Sequence, residues 1–202
     1  NENTESSYDK LQNMIGLSSV KRQIDDIIAT NVVEKERKNR QKSKYQTGTM
    51  HMVFAGNPGT AKTTVARLFA GIAKESGILK SGAFVEKGGM DLDGLCCDHL
   101  IREAFLAAKG GVLFIDEAYS LVDDRSGSFG DEAIHTIVQE MENHRSDVIV
   151  IFAGYPEKMK QCLSKISSSS QFLMGLLNDL VDMTKIEDGK FVLHPSSYAY
   201  SE

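Results

Sequence analysis

The residues from Gly56 to Thr63 read Gly-Asn-Pro-Gly-Thr-Ala-Lys-Thr, a pattern that is typical of a phosphate-binding loop. The loop follows an apolar run, Met50–Ala55, that predicts a buried strand, and it opens a stretch with apolar residues at helical spacing. Small residues let successive backbone N–H groups approach phosphate oxygens, and the start of a helix adds its positive dipole end. We therefore expect the following residues to bind a nucleotide: Asn57, Pro58, Gly59, Thr60, Ala61, Lys62, Thr63 and Thr64.

Lys62 and Thr63 have distinct expected roles in this loop. Lys62 reaches the β- and γ-phosphate oxygens, and the hydroxyl of Thr63 binds Mg²⁺. The usual pattern has glycine directly before the lysine, whereas this chain has Ala61. A right-handed helical Ala61 would leave the loop nearly unstrained, but a positive φ there would cost about 1 kcal/mol or more. The sequence leaves both conformations open.

A second chemical element is the apolar run Val112–Ile115 followed by two carboxylates, Asp116 and Glu117. The run predicts a central strand, and ligands of open α/β sheets bind at the carboxyl ends of the strands. We expect Asp116 to hold Mg²⁺ through water and Glu117 to orient and deprotonate the attacking water. The expected catalytic residues are thus Glu117, Lys62 and Asp116, and the expected metal ligands are Thr63 and Asp116. The sequence has no Asn-Lys-x-Asp element that reads guanine after a late strand, so ATP is the expected nucleotide.

Strand and helix patterns alternate through the middle of the chain and must position these residues. Between the predicted strands, apolar residues recur at helical spacing around Val65, Ile101 and Ile134. The alternation predicts an α/β fold with parallel pairing, right-handed crossovers and helices on both faces of the sheet. The predicted strands are 50–55, 83–87, 112–115 and 148–153.

Changes in composition and pattern divide the chain into three parts: an N-terminal helix with a basic linker (1–45), a core of alternating strands and helices (46–160) and a C-terminal helical extension (161–202). Residues 1–10 are polar and are expected to form a flexible lead-in. The basic stretch Lys35–Lys44 is interpreted as a solvated helix end and loop, with a patch for a binding partner or for nucleic acid as the alternative. In the extension, apolar residues between Phe172 and Met183 recur at helical spacing and predict one amphipathic helix.

The composition is that of an ordinary soluble globular protein. The 202 residues carry a formal net charge of −5, which does not favour nucleic acid or an anionic membrane as a partner. The longest unbroken apolar run, Val148–Ala153, is far shorter than the roughly 20 residues that a membrane span needs. Three cysteines, two of them adjacent, fit neither a disulfide framework nor a zinc site, so we expect reduced thiols in a cytoplasmic protein.

The sequence contains four motifs that form a specific combination: 14–17 (MIGL), 51–60 (HMVFAGNPGT), 113–121 (LFIDEAYSL) and 152–156 (FAGYP). Through them, the sequence from about residue 11 to residue 159 resembles the AAA+ ATPases, in particular the group of stage V sporulation protein K and the red-type Rubisco activases. This resemblance implies a P-loop α/β sandwich of three layers followed by a small helical lid. It also implies that Ile15 and Gly16 line the adenine pocket, and that the protein works as a ring of identical subunits that remodels protein substrates.

Several features of the AAA+ pattern are not evident in this sequence. The stretch 91–98 lacks the aromatic residue that usually contacts a threaded polypeptide, so threading is not expected. Gly154 and Tyr155 stand where a polar sensor residue is usual. The arginine that reaches a neighbouring subunit's ATP, and the lid with its sensor arginine, are not found.

Residues 167–189, which include QFLMGLLNDL (171–180) and DMTKIE (182–187), are similar to the second helix of the dimerisation domain of the sensor histidine kinases, and the resemblance to this family extends over about 162–202. The phospho-accepting histidine of that family is absent, so no phosphotransfer is implied. A natural fusion, a truncated product and an assembly artefact would each explain this change of family. We weigh three functions: an ATPase that hydrolyses ATP, a module that binds ATP or ADP with little hydrolysis, and a signalling fragment that pairs helices.

Overall fold

The computed structural model describes residues 5–40, 50–92, 96–122, 127–160 and 162–169. In chain order, its helices and strands are α1 (Ser7–Asn13), α2 (Ser18–Arg40), β1 (Met52–Ala55), α3 (Lys62–Glu75), β2 (Phe84–Gly88), α4 (Cys97–Ala107), β3 (Val112–Asp116), α5 (Gly127–Asn143) and β4 (Ile149–Gly154). Short 3-10 helices follow β2 at Gly89–Leu92 and β3 at Ala118–Val122. Residues 156–160 and 162–169 are also helical.

The four strands form one parallel sheet in the order β1-β4-β3-β2. Each strand lies where the sequence predicts one, with ends that differ by one or two residues. Parallel pairing brings all four carboxyl ends to the same edge of the sheet. There Ala55 is paired with Gly154, and Gly88 is paired with Asp116. Strand β4 therefore lies between the strand that leads into the phosphate loop and the strand that carries the two carboxylates.

Alternate residues of the buried strands face two separate hydrophobic cores. On β3, Leu113 and Ile115 pack in a core with α4 and α5, whereas Val112 and Phe114 pack in a core with α1, α2 and α3. This alternation follows from the two-residue repeat of a strand, and it makes the structure three layers deep. The predicted α/β sandwich with a parallel sheet is confirmed.

The prediction that residues 1–10 form a flexible lead-in is wrong for its second half, because α1 begins at Ser7. The side chain of Ser6 accepts a hydrogen bond from the backbone N–H of Asp9 and caps the helix. Leu11 is fully buried against α3, and the hydroxyl of Tyr8 donates to Asp25 on α2 at 3.0 Å. A helix of seven residues is too short to show a clear periodicity, and these tertiary contacts stabilise it.

His51 precedes β1 and joins it to β4 through a side-chain bond. Its Nδ1 accepts the backbone N–H of Val150 at 3.1 Å, which requires Nδ1 to be unprotonated. Its Nε2 is buried without a hydrogen-bond partner among the described residues. Burial lowers the pKa of His51, while the charge of Glu142 opposes that shift. The folded protein therefore favours the neutral imidazole.

We expect the free energy of unfolding to decrease as the pH falls below about 6.5, the ordinary pKa of histidine. Because the pKa of His51 is lower in the folded chain, the unfolded chain binds the proton more readily in that range. Urea unfolding at pH 7.5 and pH 5.5 measures the effect. His51→Asn, which keeps an acceptor for Val150, should lose less stability across this range than the wild type does. His99→Asn, at an exposed position, is the control. If it reduced the pH dependence of the free energy of unfolding as much as His51→Asn does, the assignment of that dependence to His51 would be wrong.

Candidate functional site

A cavity of about 330 Å³ lies at the carboxyl edge of the sheet, where three strand ends meet. It is lined by residues 58–64 after β1, by Asp116 and Glu117 at the end of β3, and by Gly154 and Tyr155 at the end of β4. The sheet order explains the arrangement, because β4 separates the loop from the carboxylates by one strand width. The structure thus brings the two chemical elements predicted from the sequence into one cavity.

The loop is closed by hydrogen bonds from its own side chains. The Lys62 ammonium donates to the carbonyl oxygens of Gly56 and Asn57, each at 3.0 Å, and Thr60 Oγ1 donates to the Asn57 carbonyl at 2.8 Å. A Cβ at Gly56 would lie 2.8 Å from Thr60 Oγ1, so glycine is needed for this close approach. The Lys62 ammonium consequently lies over the loop, where it can exchange carbonyl oxygens for phosphate oxygens.

Ala61 adopts the left-handed conformation, with φ 60° and ψ 24°, immediately before α3. Its carbonyl accepts the N–H of Val65 at 2.9 Å, so the residue is held in place by the first turn of the helix. Of the two conformations that the sequence leaves open, the structure has the strained one. A non-glycine residue there costs about 1 kcal/mol or more.

We expect Ala61→Gly to raise the free energy of unfolding by about 1 kcal/mol, because the left-handed conformation is already present in the folded loop and glycine adopts it without strain. Urea unfolding of both chains measures the change. Ala107→Gly is the matched control, since Ala107 lies on an exposed position of α4 away from the cavity. It should lower the free energy of unfolding by about 1 kcal/mol. An Ala61→Gly chain that is no more stable than the wild type would contradict the assignment of strain to Ala61.

Glu117 also has a left-handed backbone, with φ 48°, at the end of β3. Its N–H donates to Asp116 Oδ1 at 2.9 Å, and its carbonyl accepts the N–H of Ser120 at 2.8 Å. A Cβ at Gly89 would lie 2.8 Å from the Glu117 carbonyl, so the end of β2 packs directly on this turn. Backbone strain in a charged residue that lines a cavity is typical of functional sites.

An aromatic cluster at the end of β4 completes the cavity. Tyr119 and Tyr155 both line it, with ring centroids 5.6 Å apart, and the Lys158 ammonium lies 4.5 Å from the centroid of the Tyr119 ring. Both tyrosines lie in the sequence motifs 113–121 and 152–156, but no role for either is predicted from the sequence. Both tyrosines closely follow predicted strands, and ligands of open α/β sheets bind at the carboxyl ends of strands. This position could have identified them as residues that line the site.

The predicted base-contacting residues lie away from this cavity. Ile15 is fully exposed, and Gly16 and Leu17 have φ values of 76° and 58°. Leu17, and not Ile15, lines a second, mostly apolar cavity of about 650 Å³ that extends along α2 and β1 to Lys62. The assignment of Ile15 and Gly16 to an adenine pocket therefore stays a prediction.

In the part of the chain that the structure describes, no group of three or more His, Cys, Asp or Glu side chains could hold a metal ion alone. Nor is any helix there long and apolar enough to cross a membrane. The extension beyond residue 169, including its predicted amphipathic helix, lies outside the described residues.

Comparison with known proteins agrees with this geometry. The profile of the ATPase family associated with various cellular activities (AAA) matches residues 52–174, more than half of the chain. The chain belongs to the AAA family. It therefore carries a nucleotide-binding ATPase module, and the resemblance to the group of stage V sporulation protein K and the Rubisco activases is confirmed.

Three curated relatives show how much of the chain is shared. Stage V sporulation protein K of Bacillus subtilis is 40% identical over 154 residues, which cover 75% of this chain and 48% of that protein. The chloroplastic ribulose bisphosphate carboxylase/oxygenase activase of Cyanidioschyzon merolae is 43% identical over 150 residues, or 72% of this chain and 51% of that protein. The chain thus spans about half the length of these two relatives.

The third relative bears on the C-terminal extension. The CfxQ homologue of Cyanidium caldarium is 37% identical over 194 residues, which cover 93% of this chain and 68% of that protein. The AAA match itself runs to residue 174, into the extension that begins at residue 161. The resemblance of residues 162–202 to sensor histidine kinases and the division into three parts stay predictions.

Proposed function

We propose that this chain binds ATP with Mg²⁺ in the cavity at the carboxyl edge of the sheet and hydrolyses it to ADP and phosphate. The observation that carries the proposal is the convergence of Lys62, Thr63, Asp116 and Glu117 on one cavity from two strands that are not neighbours. A phosphate loop alone supports binding, whereas two carboxylates opposite the loop support hydrolysis.

The residues present fit Mg²⁺. Thr63 supplies a hydroxyl and Asp116 a carboxylate within the same cavity, and both are the oxygen ligands that this ion prefers. One or two protein ligands are enough, because Mg²⁺ usually keeps several waters and binds phosphate oxygens as well. When bound, Mg²⁺ would neutralise negative charge on the phosphates.

In the proposed reaction, this chain's own groups position the triphosphate and the water. Backbone N–H groups of residues 59–64, at the start of α3, bind the phosphates, and the Lys62 ammonium contacts the β- and γ-phosphate oxygens. Glu117 accepts a proton from the water that attacks the γ-phosphorus, as the bond between that phosphorus and the bridging oxygen breaks. The left-handed backbone of Glu117 fixes the direction of its Cα–Cβ bond and therefore limits the region that its carboxylate can reach.

For the base, we keep Ile15 and Gly16 as the proposed contacts. The apolar cavity beside the loop supports an apolar base site, because Leu17, Val20 and Ile24 line it next to Lys62. The consecutive left-handed residues Gly16 and Leu17 fix the turn between α1 and α2 that holds this segment. We also keep a cytoplasmic location and a ring of identical subunits as proposals.

A second candidate, a module that binds ATP or ADP with little hydrolysis, is favoured by Gly154 and Tyr155, which stand at the end of β4 where a polar sensor residue is usual. Steady-state phosphate release at increasing protein concentration separates the two candidates. The proposed ATPase predicts turnover, and a ring predicts that turnover per chain rises with concentration. Binding of ATP without phosphate release at any concentration would support the second candidate and contradict the first.

A further inference from the structure

Strand β1 forms one edge of the sheet, because among the described residues it pairs with β4 and with no other strand. The Gly56 N–H, directly after β1, donates to the Gly154 carbonyl at 3.1 Å, on the side of β4. Backbone N–H groups of a strand point alternately to its two sides, so those of Val53 and Ala55 point to the open side. An edge with free backbone groups of this kind can accept a further strand.

The open side of β1 is also apolar and incompletely covered. Val53 is 41% exposed, whereas β4 beside it is buried along its whole length. All four residues of β1 line the mostly apolar cavity of about 650 Å³, together with Val20, Ile24 and Ile27 of α2. Strands of parallel sheets are usually covered on both faces. The described residues therefore leave part of β1 without the cover that its position in the sheet requires.

The connections of the sheet indicate where the chain continues after β4. Helices α4 and α5 connect β2 to β3 and β3 to β4, and both pack on one face of the sheet against Leu113 and Ile115. Each of these steps moves the chain toward β1. Since β4 has neighbours on both sides, the next strand in this direction lies beyond β1, and a right-handed crossover places its helix on the same face. The residues after β4 begin such a path, because Met159, Cys162 and Ile166 pack in the same core.

The sequence beyond residue 169 contains a segment that suits this position, although it lies outside the described residues. Phe191, Val192 and Leu193 form an apolar run between Gly189 and Pro195, a pattern that is typical of a short strand. Residues 155–189 separate this run from β4, and a parallel crossover needs only about 12 residues. The chain therefore supplies its own candidate for the open edge.

We propose that residues 190–194 dock on the open side of β1 as a fifth, parallel strand. The N–H groups of Val53 and Ala55 donate to carbonyl oxygens of this segment. The residues that precede it cross on the face of α4 and α5 and cover Val53. Docking also closes an apolar strand edge to other chains, which would otherwise be a site of aggregation. This inference concerns the sheet itself and does not depend on the proposed ATPase function.

Hydrogen exchange of the whole chain, followed for single amides without nucleotide, tests the pairing. In the double variant Val192→Pro with Leu193→Pro, one of the two prolines must remove an N–H that points at β1, because these groups alternate. We expect the amides of Val53 and Ala55 to exchange at least about tenfold faster in this variant than in the wild type. Each rate is divided by that of Ile151 in the interior strand β4, so that a general loss of stability does not count as an effect at the edge.

The double variant Ser196→Pro with Ser197→Pro is the matched control, because it places two prolines in the polar residues after the segment. It should leave the relative rates of Val53 and Ala55 unchanged. Equal relative rates in the wild type and in the Val192→Pro, Leu193→Pro variant would overturn the proposal. Protection of Val53 and Ala55 that increases with protein concentration would overturn it too, since a second copy of the chain would then occupy the edge.

Discussion

Replacing Lys62 with methionine is expected to raise the dissociation constant of ATP at least about 100-fold. Methionine keeps the aliphatic stem but removes the ammonium, and with it charge-assisted hydrogen bonds to phosphate oxygens, each worth about 1.5–3 kcal/mol. In the described structure this ammonium already lies over the loop, 3.0 Å from the carbonyl oxygens of Gly56 and Asn57. Fluorescence anisotropy of a labelled ATP, titrated with each chain, measures the change.

Lys80→Met is the matched control for this experiment. Lys80 is an exposed lysine that pairs with Asp147 on the surface, and such pairs contribute little to stability. The affinity of Lys80→Met for ATP should equal that of the wild type. Thermal denaturation without nucleotide shows whether the Lys62 variant still folds. A folded Lys62→Met chain with wild-type affinity would mean that the nucleotide binds elsewhere.

The second large effect is expected for Glu117→Gln, which should lower kcat for ATP hydrolysis at least about 100-fold and leave ATP binding nearly unchanged. The amide keeps the size of the side chain but cannot accept the proton of the attacking water, and general-base catalysis contributes about 100-fold to 10,000-fold. Single-turnover phosphate release, with protein in excess over ATP, measures the chemical step directly. The dissociation constant is measured on the same preparation.

Glu103→Gln, on the exposed surface of α4, is the control for the loss of one negative charge. It should retain full turnover. If Glu117→Gln hydrolysed ATP as fast as the wild type, the assignment of Glu117 as the base would fail, although nucleotide binding by the loop would be unaffected.

The sequence alone predicts the parts of the site that depend on residue type and spacing. A run of small residues that follows an apolar strand and ends in Lys62-Thr63 is specific to phosphate-binding loops. Four apolar residues before Asp116 and Glu117 predict a buried strand with its carboxylates at the ligand edge. Because both patterns are local, the predicted strands agree with the structure to within one or two residues.

Features that depend on tertiary contacts could not be obtained in this way. Neither the left-handed backbone of Ala61 nor that of Glu117 is encoded by the residue itself, since both residues disfavour it. Helix α1 is stabilised by burial of Leu11 and by Tyr8, which a seven-residue window does not reveal. The position of the Tyr119 ring against Gly154 depends on the sheet order, which places the end of β4 beside the carboxylate turn.

The central claim is that the loop and the carboxylates form one site for ATP with Mg²⁺. Isothermal titration of the wild-type chain with ATP, in the presence and in the absence of Mg²⁺, tests it most directly. We predict one nucleotide bound per chain, with an affinity that increases when Mg²⁺ is present. No binding under either condition, or binding with the same affinity in both, would contradict the claim.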